Sequence, residues 1–188
     1  MLKIDILKQL LRENRSFLLF LVKFLVCYLS MTGVYSLFLR QYTIESNEVD
    51  GITMHVAELT KSVLGFFNQE ILLINHPNQP AIKVLYHQKY IVRIVEGCNA
   101  FSVIILFASF IFAFSSTWKK TIGFISAGAL LIYGLNCIRI ALLIAGIYYL
   151  PSTKDFLHDI VFPSVIYGIV FILWLIWIFK FYDAMKNK

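Results

Sequence analysis

The chain has 188 residues, 59% of them hydrophobic, and a formal net charge of +6; its mean hydropathy is +0.75. A soluble domain averages roughly 45–50% apolar residues, and the apolar residues here fall in long runs, so the composition excludes an ordinary soluble domain and points to one compact membrane bundle. The basic excess forms no stripe interleaved with aromatics, which argues against a nucleic-acid groove, and the three cysteines form no CxxC or Cys/His cluster for a disulfide framework or a metal site.

Residues 1–15 set Ile4, Ile6, Leu7, Leu10 and Leu11 on a rough helical face among Lys3, Lys8, Arg12 and Arg15. This predicts a short basic amphipathic helix on the cytoplasmic membrane surface; a disordered tail is the plainer reading. Residues 16–39 form the first span. The run exceeds a signal-peptide core of about 7–15 residues and no A-x-A site is evident, so it is read as retained. Lys23 inside it is expected to snorkel towards the interface marked by Arg15.

Residues 40–97 are an extracytoplasmic insertion of mixed charge. Val56, Leu59, Val63, Phe66, Phe67, Ile71 and Ile74 recur at helical spacing, which predicts an amphipathic helix over 54–74 lying on the outer membrane face. Residues 75–80 are a turn cluster. Runs 81–87 and 90–96, rich in β-branched and aromatic residues and separated by Gln88-Lys89, read as a β-hairpin.

Residues 98–117 form the second span, ended by Trp118-Lys119-Lys120. Residues 121–150 are the third, residues 151–158 a short loop, and residues 159–181 the fourth, whose Trp and Phe residues read as lipid-facing surface. The expected fold is an all-α polytopic membrane protein with about four transmembrane helices, an external amphipathic helix and a small hairpin. Residues 16–188 make its single bundle. The N-terminal tail, the 118–120 loop and the C-terminal tail hold nine Lys and Arg residues. With four spans all three lie on one side, assigned to the cytoplasm. The hairpin and loop 151–158 then face outwards.

Arg139 lies nineteen residues beyond Lys120, about 28 Å along a helix at 1.5 Å per residue, against a hydrocarbon core about 30 Å thick. It therefore belongs near the outer interface. Cys98 stands at the outer end of the second span and His158 at the outer end of the fourth. A thiol, a guanidinium and an imidazole from three spans arrive at one depth.

Their chemistry is coherent. A sulfur anion attacks an amide carbonyl to give a thioester, and the positive end of a helix and a nearby Arg139 both complement that anion. A guanidinium keeps its proton, which makes it a poor base and a good fixed donor to a tetrahedral oxyanion. An imidazole is suited to exchange protons near neutral pH. Taken singly, each residue has a blander account: a cysteine at a helix end packs, an interfacial arginine snorkels, a histidine sits in solvent. His55, His76 and His87 share the outer segment and rival His158 as the base. Asn136, one turn before Arg139, is placed to hydrogen-bond across helices or orient the site, and Cys137 reads as packing.

The ordered pattern Glu96-Gly97-Cys98-Asn99-Ala100, then Asn136-Cys137-Ile138-Arg139, then His158 before a last apolar span, resembles the exosortase/archaeosortase family, and most closely its exosortase F subgroup. The resemblance spans about residues 90–181, and more loosely the whole chain. It implies a membrane-embedded, sortase-type transpeptidase in a bacterial inner membrane, with the termini cytoplasmic and the active site facing the periplasm. Such enzymes cleave secreted substrates at a C-terminal tail built of a short motif, an apolar helix and a basic end. The acyl group then passes to a surface acceptor. By this resemblance Cys98 is the nucleophile, Arg139 the oxyanion or substrate donor and His158 the acid/base, with no cofactor or metal. Two departures stand out: many members carry Ser-Gly where this chain has Asn99-Ala100, and larger relatives carry about eight spans.

Three other function classes compete. A non-enzymatic assembly or transport partner would not need Cys98, Arg139 and His158 to converge. A Ser/Lys peptidase lacks a suitable pair on one outer face, and a metalloprotease lacks HExxH.

Overall fold

The computed structural model describes residues 14–42, 48–67, 69–114 and 117–182. The basic segment expected over 1–15 lies almost wholly outside them. The first helix, α1, runs Arg15–Leu39 and buries Tyr35 alone among its residues. Phe17, Val26 and Val34 on it stay more than half exposed. A surface of that kind is stable only in lipid. Lys23 is exposed on it.

After the insertion begins, Asp50 caps α2, Gly51–Phe66. Its carboxylate accepts from the backbone amides of Ile52 at 3.1 Å and Thr53 at 2.9 Å, satisfying two otherwise orphaned donors. Thr53, Val56, Ala57, Thr60 and Leu64 form the buried stripe. The helix ends at Phe66 and does not continue to 74. Residues 71–75 instead form a strand, β1, Ile71–Asn75, paired antiparallel with β2, Ile82–Tyr86, from Ile71↔Tyr86 to Asn75↔Ile82. Ile71 and Ile74 fit a helical stripe by spacing, but the run Ile71-Leu72-Leu73-Ile74 suits a strand equally well once β2 is there to pair with it.

The third strand, β3, runs Lys89–Ile94 and completes an antiparallel meander in the order β1-β2-β3. The turn joining β2 to β3 is His87-Gln88, one residue earlier than expected. Both residues have positive φ, 48° and 63°, the geometry of the two-residue hairpin turn that matches strand twist. Ile82, Val84, Tyr86 and Ile94 turn one sheet face onto Val56, Ala57 and Leu64 of α2 and onto Cys137, Ile140, Ala141 and Ile144 of the long helix α4. Cys137 is thus a packing residue. Tyr86 is buried there and donates to Gln69 Oε1 at 2.6 Å. Burial first, then the neighbouring Tyr149, pushes its phenol up to about 12, so it donates as a neutral group.

The turn Glu96–Cys98 leads into α3, Phe101–Ala113, and α4 follows as Trp118–Tyr149. Residues 151–158 are not a loop. A 3-10 turn Pro151–Thr153, a helical turn Lys154–Phe156 and a π-helical turn Leu157–Val161 run directly into α5, Phe162–Ile176. Among the described residues, three helical stretches are long and apolar enough to cross a membrane: Arg15–Leu39, Trp118–Tyr149 and Pro151–Lys180. The expected second span is the shorter α3, whose 13 residues reach about 20 Å. It starts late because Ala100 sits in the left-handed region at φ 60°, which ends the preceding turn and re-aims the chain. The whole is an all-α polytopic membrane protein carrying a small three-stranded sheet.

The aromatics of the last span are not lipid-facing as a class. Trp177 is fully buried and its indole donates to the Phe114 carbonyl at 3.1 Å. Trp174 stacks on Phe110 with ring centroids 4.2 Å apart, and Phe20 of α1 meets Phe114 at 4.2 Å. This cluster ties α1, α3 and the last helix together at the end away from Cys98. Nearby, α3 and α4 cross so closely that a Cβ on Gly128 would lie 2.3 Å from Phe107 Cζ. Phe107 is fully buried and has little room to yield. Gly128→Ala is expected to cost about 1–3 kcal/mol through overpacking, read as a lower unfolding midpoint of the detergent-solubilised protein. An unchanged midpoint would refute the close crossing.

Candidate active site

Cys98, Arg139 and His158 line one cavity of about 520 Å³. Each comes from a different segment. Cys98 closes the turn Glu96–Cys98, just before α3 rather than within its first turn. Arg139 projects from α4, three turns before its end, with Ile140, Leu143 and Ile147 continuing that wall. His158 comes from the π-helical turn Leu157–Val161. A contiguous run, residues 90–95 of β3 and its exit, forms the remaining wall.

The nucleophile candidate is held through its backbone. Asn136, 1% exposed, donates its side-chain amide to the Cys98 carbonyl at 2.8 Å. One helical turn on α4 therefore carries both the clamp on Cys98 and the guanidinium of Arg139. The next residue, Asn99, is equally buried. Its amide nitrogen donates to the Tyr35 hydroxyl of α1 at 2.9 Å and to Thr53 Oγ1 of α2 at 3.1 Å, and its oxygen accepts from the Phe101 amide at 2.9 Å. Asn99 thus ties α1, α2 and the start of α3 to the residue beside Cys98. Ala100 adopts the left-handed conformation at φ 60°, a strain of about 1–2 kcal/mol for a non-glycine residue. The three hydrogen bonds of Asn99 hold that backbone in place.

Asn136→Ala would release the Cys98 carbonyl from α4. It is expected to lower turnover about tenfold, the loss of one buried hydrogen bond of about 1.4 kcal/mol, with the Cys98 thiol still present and alkylatable. Turnover equal to wild type at equal membrane abundance would refute the positioning role.

Arg139 is partly buried, and its Nε is a buried donor with no hydrogen-bond partner among the described residues. Cys98 and Tyr167 are both within electrostatic reach of the guanidinium. A buried donor left unpaired costs about 1–3 kcal/mol. His158 Nδ1 lies 2.6 Å from Asp159 Oδ1. With the carboxylate accepting, Nδ1 carries the proton and Nε2 is left to exchange one.

The rival histidines stand elsewhere. His55 Nδ1 meets the Tyr133 hydroxyl at 2.8 Å, His76 Nδ1 accepts from the Asn78 amide at 3.2 Å, and His87 pairs with Gln69 at 3.1 Å; none of them lines the cavity. Lys154 and Asp155 do line it. They sit four and three residues before His158, so helical spacing shares its face, a signal hidden by reading 151–158 as a loop. Asp159 and Tyr167 carried no separate sequence signal. No cluster of three or more metal-ligating side chains occurs among the described residues.

Compared with curated proteins and with solved structures, the chain matches none. A family model described as transmembrane exosortase matches residues 9–179. That match covers the first span, the sheet, the cavity and most of the last helix, and it does not separate the exosortase F subgroup from the rest. The chain belongs to the transmembrane exosortase family.

Proposed function

We propose that this membrane transpeptidase is a cysteine enzyme that cleaves the C-terminal sorting tail of secreted proteins and transfers the upstream part to a surface acceptor. The single observation that carries the reading is the shared cavity of Cys98, Arg139 and His158, contributed by three separate segments. His158 Nε2 takes the proton from Cys98 Sγ, and the sulfur attacks the scissile carbonyl carbon. Arg139 donates to the oxygen that gains negative charge. The tetrahedral intermediate collapses by breaking the C–N bond, and His158 returns the proton to the departing amine of the tail. A thioester on Cys98 remains. An amine, hydroxyl or water then gives its proton to His158 and attacks the thioester, and the thiol is regenerated.

The orientation follows from the basic residues. Lys119 and Lys120 at the start of α4 and Lys180 at the end of the last span mark the cytoplasmic side of a bacterial inner membrane. The cavity then opens to the periplasm, where tailed substrates arrive with their apolar helix in the bilayer. The test is a secreted reporter domain fused to a tail of short motif, apolar helix and basic end. It is taken from a protein of the same cell and expressed with wild type or with Cys98→Ala. Cys98-dependent shortening supports the reading; shortening that persists without the thiol favours a non-enzymatic assembly or transport partner.

A further inference from the structure

The sheet has one edge at β3, because the strand order is β1-β2-β3. Its inner edge is taken by β2, from Ile82↔Ile94 to Tyr86↔Lys89. No other described element hydrogen-bonds to its backbone outside that ladder. A strand that shows a cavity its face contributes alternate residues. Here residues 90, 91, 92, 93, 94 and 95 all line the cavity, both parities together, so the cavity runs along the strand's edge. The one irregularity of the ladder leaves Ile91 unpaired between Tyr90 and Val92. It lies at the far end of the wall; from Val92 to Ile94 the ladder is regular, and the turn Glu96–Cys98 follows one residue later.

We propose that β3 is the template for the substrate: the extended segment upstream of the scissile bond adds to its free edge as a fourth strand, running parallel to it. The inference rests on the cysteine-transpeptidase reading above and deepens it. Unpaired N–H and C=O groups on an edge strand are a ready template for another chain, and strand addition is a recurring mode of peptide capture. An edge beside a membrane also needs its polar groups satisfied where water is scarce.

The direction follows from the geometry of a tailed substrate. Its apolar helix lies C-terminal to the scissile bond and must remain in the bilayer. The segment upstream therefore approaches Cys98 from the sheet side, N to C. The chain of β3 also runs N to C towards Cys98. An upstream segment lying on this edge is parallel to it, and downstream residues cannot lie there without lifting the tail helix out of the membrane.

The test is disulfide mapping in the full-length Cys98→Ala protein, which would hold the tailed reporter uncleaved. Single cysteines replace Val92, Arg93 and Val95 in turn, so that no one misfolded variant decides the outcome, and each is paired with a cysteine scan of the reporter upstream of its cleavage point. A parallel fourth strand shifts the preferred reporter partner by one residue from Val92 to Arg93 and by two more, in the same direction, from Arg93 to Val95. A shift in the opposite direction, or cross-links without a register, overturns the inference while Cys98-dependent cleavage of the same reporter keeps the enzyme reading. Cleavage that does not need Cys98 overturns both.

Discussion

Cys98→Ala is expected to leave the tailed reporter at full length, with turnover down by roughly 10⁴-fold or more, the loss seen when a covalent nucleophile is removed and only binding and oxyanion stabilisation remain. The substitution removes one sulfur from a half-buried site and leaves the backbone clamp from Asn136 to the Cys98 carbonyl untouched. Its effect on stability should stay within about 1 kcal/mol, so membrane abundance serves as the control. A membrane-impermeant maleimide applied from the periplasmic side should inactivate wild type and leave no further activity to remove in Cys98→Ala. Cys137 is buried in the packing between α4 and the sheet. Cys27 lies on α1 beside Met31, away from the cavity. Undiminished processing by Cys98→Ala at equal abundance would remove the nucleophile, and with it any catalytic meaning of the cavity.

The parts of this molecule that could be read in its sequence are those set by long-range composition. The spans built on α1, α4 and the last helix follow from long apolar runs. What escaped depended on partners distant in sequence. Ile71 and Ile74 satisfy helical and strand patterns alike, and only β2 decides between them. The short α3 depends on the backbone of a single residue, Ala100, which hydropathy does not register. Trp177 looks like any lipid-facing aromatic until α3 and α4 enclose it against Phe114 and Phe124. Cys98, Arg139 and His158 were legible as candidates because their residue types are unusual at the ends of membrane helices. The strand wall beside them was not, since nothing local to residues 90–95 reveals which edge of a sheet will face a cavity. Asn99 read as a departure from the family pattern, and its bonds to Tyr35 and Thr53 required two partners more than forty residues away.

Arg139→Met is expected to lower turnover by roughly 10²–10³-fold, the cost of losing one well-placed oxyanion donor, while the fold keeps or gains stability. The two effects part company because of how this arginine is placed. Its Nε is buried without a partner among the described residues, and a partly desolvated charge is a burden on the resting protein. Methionine fills similar space beside Ile140 and Leu143 with no polar group to bury. If Arg139 served the fold, its removal would lower the unfolding midpoint and the activity together. If it serves the transition state, activity collapses alone. Arg139→Lys adds a second readout. It keeps a positive charge but loses the planar fork, so it should recover part of the loss, through turnover rather than through substrate affinity. Binding energy realised only as the oxyanion forms appears in turnover and leaves KM little changed. A variant whose KM rises while turnover holds would instead make Arg139 a ground-state anchor for the substrate carbonyl. A fall in midpoint matching the fall in activity would assign it to structure.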